Sequence, residues 1–138
     1  MTRKGPAKPV EKSVADGRLR MARSYLKAAR LEFTMAEPGD IGNPAMSQIV
    51  NAAIAYADAL TVRFAGKVNR ADHAAVVKVL RDALGNRLPD TQANRLRGIL
   101  DHKDEAQYGV RAKSLSDALA LLERLEKFAA WAELELEA

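Results

Sequence analysis

Arg97 and His102 are the residues of this chain whose types and spacing suit a metal-free reaction. An imidazole moves protons near pH 7. A guanidinium grips a phosphate and steadies the charge that grows on it. Together they could cut a phosphodiester, and Arg95 lies within a similar distance of the same histidine. Lying five residues apart, Arg97 and His102 diverge by about 140° on a straight helix. They share a face only if the helix bends or ends between them. The next stretch, Lys103-Asp104-Glu105-Ala106-Gln107-Tyr108-Gly109, offers a different chemistry. Lys103 is a phosphate contact, and the Tyr108 phenol can stack or hydrogen-bond. Arg111 and Lys113 follow as further cations. The structural reading of the same stretch makes Tyr108 a half-buried anchor and pairs Lys103 with Asp104 or Asp58.

Other chemistries are poorly served. The chain has no cysteine, so disulfides, thiolate nucleophiles and cysteine metal sites are excluded. With two histidines, His73 and His102, a metal site built on their neighbouring aspartates has little to draw on, and neither a metal nor a cofactor is expected. Gly39-Asp40-Ile41-Gly42 lacks both the preceding strand and the lysine of a phosphate loop.

The candidate residues must be positioned by helices. Leu19, Ala22, Leu26, Ala29, Phe33 and Ala36 recur at helical spacing, predicting a first helix from Ser13 or Ala15 to Glu37, stopped by Pro38-Gly39. Asn43 reads as the cap of a second helix, with Pro44 in its first turn. Its stripe is Met46, Ile49, Ala53, Tyr56, Leu60 and Phe64, and its other faces are rich in alanine, so it should lie centrally. Asp72 caps a third helix that ends at Gly85. Asp90 or Thr91 caps a fourth, in which Gly98 is a weak point or a place of close helix contact. Ser114-Leu115-Ser116-Asp117 fits a capping box before a fifth and last helix. No segment alternates with the period of a strand. The expected fold is all-α: one domain over residues 13–138, a five-helix antiparallel bundle with long up-and-down helices, preceded by a flexible basic arm over residues 1–12.

Charge is uneven. The chain carries 22 Lys and Arg against 18 Asp and Glu. Residues 1–30 hold nine of the basic groups against Glu11 and Asp16, whereas residues 114–138 are acidic. The basic front is compatible with nucleic-acid contact and equally with a solubilising arm. No run approaches the roughly 18 apolar residues of a membrane span. Gly5-Pro6-Ala7-Lys8-Pro9 stands where a signal peptide would be apolar, so the expected home is the cytoplasm and no membrane partner is expected.

From about residue 18 to 134 the chain resembles a HEPN domain of the small bacterial, actinobacterial type. The resemblance rests on Ala52-Ala53-Ile54-Ala55-Tyr56-Ala57-Asp58-Ala59-Leu60, on Asp72-His73, on Lys103 through Gly109, and on Ala118, Leu125, Phe128 and Trp131-Ala132. It implies a homodimer. In active members it implies metal-independent RNA cleavage by an arginine and a histidine four to six residues apart. One register places Lys103 and Tyr108 at those positions. A lysine binds phosphate without the bidentate fork, and a phenol, titrating near about pH 10, shuttles protons poorly at neutral pH. That register implies binding of RNA, of a nucleotide or of a regulatory protein partner, without catalysis. The other register uses Arg97 and His102 and implies an endoribonuclease, toxin-like and paired with an antitoxin. A purely protein-binding helical scaffold is the third possibility.

Overall fold

The computed structural model describes residues 7–9, 13–69, 72–109 and 111–137. Three long helices form its frame: α1 (Val14–Met35), α2 (Asn43–Ala65) and α6 (Leu115–Glu137). Each is about 33 Å long at 1.5 Å per residue. Between α2 and α6 lie three shorter helices: α3 (Val76–Leu84), α4 (Asp90–Leu100) and α5 (Lys103–Tyr108). The all-α expectation holds. The six-residue α5 is an addition to the five helices expected, too short to show a hydrophobic period.

α2 is the central rod. Fourteen of its 23 residues are buried, Met46, Ile49, Tyr56 and Leu60 among them. Its alanines keep the helix thin, so α1, α3 and α6 approach it on several sides. The expectation of a central second helix is met. Ion pairs fix the directions. Arg23 of α1 pairs with Glu133 of α6, and Arg30 with Glu126. Ascending α1 therefore descends α6, so the two run antiparallel. Gly42, just before α2, and Tyr56 of α2 meet the start and the end of α6 respectively, so α2 and α6 run parallel, against the expected antiparallel arrangement. The segment from α3 to α5 is the crossover that this parallel pair requires.

Several local expectations change. α1 stops at Met35, two residues early, because Pro38 disfavours helical backbone at Glu37, whose N–H instead meets Asp40 Oδ2 at 2.8 Å. Asn43 is not a cap: Gly42 precedes the helix and no side chain caps it. The Asn43 amide reaches across to the α5–α6 connection, where its Oδ1 accepts from the Lys113 N–H at 2.7 Å. Neither Asp90 nor Thr91 caps α4. The cap position is Pro89, and Asp90 receives Arg81 instead. Asp72 does cap, but it caps the single 3-10 turn of His73–Ala75 that leads into α3, accepting from the Ala74 N–H at 3.1 Å. Ser114 Oγ accepts from the Asp117 N–H at 3.0 Å, which is half of the expected capping box.

A strand pair, not foreseen in the sequence, is present. β1 (Ala7–Pro9) and β2 (Lys67–Asn69) pair antiparallel, with Lys8 opposite Val68. Three residues cannot display a two-residue period, and Pro9 argues against a strand in the sequence. Part of the expected arm is thus paired with the strand that follows α2. The rest of the arm, 1–6 and 10–12, lies outside the described residues.

Candidate functional site

α4 runs between two depressions. Its buried side carries Ala93, Leu96 and Ile99, which lock it against the core. The residues on either flank of that buried stripe point into solvent-filled grooves, as the 100° step of a helix dictates. The larger groove, about 770 Å³, lies between α3, α4 and α5. It is lined by Arg97 of α4 and Asp101 just after it, Lys103 and Asp104 of α5, and His73, Lys78 and Arg81 from the α3 side.

The cations of this groove are not equivalent. Arg81 is held by the Leu88 carbonyl at 2.6 Å and by Asp90 at 2.9 Å. Lys78 pairs with Asp82 at 3.0 Å. Both face the groove with their charge largely answered. Among the described residues Arg97 meets only the neutral Asn94 Oδ1, at 3.0 Å. Lys103 is drawn in, with 17% of its side chain exposed, and its closest carboxylate is Asp104 at 4.0 Å. Arg97 and Lys103 are therefore the cations with charge to spare. The acids are also unequal: Asp72 is occupied as a cap, and Asp104 is 92% exposed to water.

His73 completes the groove. Burial, reinforced by the charge of Lys103, lowers its pKa below the ordinary imidazole range, against the weaker pull of Asp72 and Asp104. The ring is thus neutral at pH 7, an acceptor or donor beside two available cations.

The other sequence candidates are scattered. Arg97 lines this groove, but His102 is not among its lining residues, so the groove does not bring that pair together. α4 ends at Leu100, and His102 turns back to donate its N–H to the Ile99 carbonyl. Tyr108 is not the half-buried anchor expected; 72% of it is exposed. Lys103 Nζ stands 5.0 Å from the centre of its ring, which ties the phenol to the rim of the groove. Lys113 pairs with Glu105 at 3.7 Å on the far side of α5. Arg111 is exposed in the α5–α6 connection, where its carbonyl accepts from Asn43. Arg95 belongs to the second groove, of about 540 Å³, between α4 and α6. The basic face of α1 is partly spent, because Arg23 and Arg30 serve as bonds to α6.

The sequence does not single out Lys78 and Arg81 as groove residues, and it offers His73 as a helix opener and a poorly supported metal ligand. The signal was there: Ala74, Val77, Lys78 and Arg81 form a helical stripe on the side of α3 away from Val76, Leu80 and Leu84. Nothing in the sequence announces that α4 and α5 fold over that stripe. Among the described residues no three His, Asp or Glu side chains are arranged to hold a metal ion, and no helix is long and apolar enough to cross a membrane. The chain matches no protein-family model and no curated protein.

Proposed function

We propose that the groove between α3, α4 and α5 binds a phosphate ester, an RNA or a nucleotide, without cutting it. The observation that carries this is the convergence on one groove of Arg97, which meets a neutral asparagine, and Lys103, whose ion pair is stretched to 4.0 Å, beside a neutral His73. The carboxylates of Asp101 and Asp104 on the same rim fit a nucleotide better than bare phosphate. Carboxylates accept from ribose hydroxyls and base amino groups, while the cations take the phosphate. Catalysis gains less support, since the lysine lacks a fork and the expected Arg97–His102 pair does not converge here. The HEPN-like assignment rests on the sequence resemblance and fits the all-helical frame. A homodimer is part of the same reading; Met21, Leu31 and Met35 on α1 leave apolar surface exposed for it.

The test is the affinity for a short fluorescent oligoribonucleotide across a salt series. Lys103→Glu is expected to weaken binding about tenfold or more at low salt and to flatten the salt dependence, since each neutralised phosphate releases counterions. The RNA should be recovered intact after incubation in EDTA. No affinity at low salt, or an unchanged affinity for Lys103→Glu, overturns the proposal. The same assay has a pH signature. His73 gains a positive charge only as pH falls through its depressed pKa, so affinity for the anion is expected to rise below about pH 6.5. His73→Gln should remove that rise and leave the affinity at pH 8 nearly unchanged.

A further inference from the structure

The groove between α4 and α6 is the more positive of the two. Arg95, Arg124 and Lys127 face Glu123 there, three cations against one acid. Among the described residues none of the three cations is in an ion pair. This groove and the His73 groove lie on opposite flanks of α4, separated by the exposed ridge of that helix. At the ridge stands Gly98, the one residue of α4 without a side chain. The Arg124 guanidinium occupies the space that a Cβ at Gly98 would take. A charged group from α6 thus lies directly on the α4 backbone, one residue from Arg97.

We infer that the two grooves form one continuous phosphate track, bridged over Gly98 by Arg124, and that its ligand is a single-stranded polynucleotide and not a mononucleotide. Backbone phosphates would pass from Arg97 and Lys103, over the ridge, to Arg124, Lys127 and Arg95. The exposed ring of Tyr108 at the rim of the first groove supplies a face on which a base can stack. The inference rests on the nucleotide-binding reading of the first groove and goes beyond it in naming a strand as the ligand and a second groove as part of the site.

The experiment compares a dinucleotide with a strand of about ten nucleotides, a length typical of such channels, on the full chain at low salt. The long strand is expected to bind at least tenfold tighter. Arg124→Glu should cost the long strand about tenfold and leave the dinucleotide unaffected, whereas Lys103→Glu should weaken both. Gly98→Ala is the control for folding. Its methyl displaces Arg124 without altering charge, so it should weaken the long strand several-fold while the helix itself becomes no less stable. Equal affinities for the two lengths, or an Arg124→Glu protein that holds the long strand as wild type does, overturn the continuous track and leave the first groove standing. If neither ligand binds, the reading of the first groove fails, and the track with it.

Discussion

Asp58→Asn is expected to stabilise the protein by roughly 3 kcal/mol at pH 8 and by almost nothing at pH 4. Asp58 lies on the central helix with 7% of its surface exposed. Burial raises its pKa from 3.8 to about 6, and the more distant positive charge of Arg18 only partly opposes this. Between those two values the native chain holds a proton that the unfolded chain has released. Stability therefore falls as pH rises through that window, and above it the full cost of the buried charge is present. The rise from 3.8 to about 6 corresponds to about 3 kcal/mol. The amide has the same shape and no charge, so it removes the cost where the cost exists. Thermal unfolding of both proteins at pH 4 and pH 8 reads this directly, as a gain of about 10 °C at the higher pH only. A gain of the same size at both values would mean a packing effect, and a loss at pH 8 would mean that Arg18 outweighs desolvation.

Gly42→Ala should do the opposite, at a cost of about 3 kcal/mol. The backbone there has φ −88°, which any residue can adopt, so the objection is space and not conformation. A methyl would overlap the Ser114 carbonyl oxygen and the Ala118 methyl, both at the start of α6. One of these is main chain and cannot swing aside. The Gly42 N–H also donates to the Lys113 carbonyl at 2.7 Å, so the displacement breaks a bond that ties α2 to the α5–α6 connection. Gly17→Ala in α1 is the comparison. Nothing lies within 4 Å of that position, and helix propensity alone predicts a gain of up to about 1 kcal/mol. Urea unfolding of the two variants beside the wild type should give changes of opposite sign. Equal small changes would show that α6 does not sit against Gly42 as described.

How much of this was legible in the sequence depended on whether the information was local. The stripe from Leu19 to Phe33 and that from Met46 to Leu60 gave the two long helices and the central place of α2, because periodic burial is written into residue order. Gly85 marked the end of α3, with a positive φ that suits glycine, and Asp72 marked the turn that leads into it, since a side-chain cap and a glycine terminator are chemistry of neighbouring residues. Asn43 shows the limit. Its type and position suit a cap, yet its amide bonds to Lys113, 70 residues away, and no local pattern distinguishes the two uses. The grooves follow the same rule. Arg97 and Lys103 were visible as cations of the right kind. That Arg81 is neutralised by Asp90 and Arg23 by Glu133, while Arg97 is left with only an asparagine, is decided by packing. Composition located a basic front end; the fold spends Arg23 and Arg30 of it on α6 and leaves the charge of Arg97 available at α4.

The central claim, that anionic ligand is received around α4, is tested most directly by residue-resolved backbone chemical shifts during titration with a short oligoribonucleotide. The expected result is a contiguous set of perturbations over residues 73–81, 94–104 and 120–127, with α1 silent. Perturbations concentrated on the basic face of α1, or none anywhere at low salt, would contradict it.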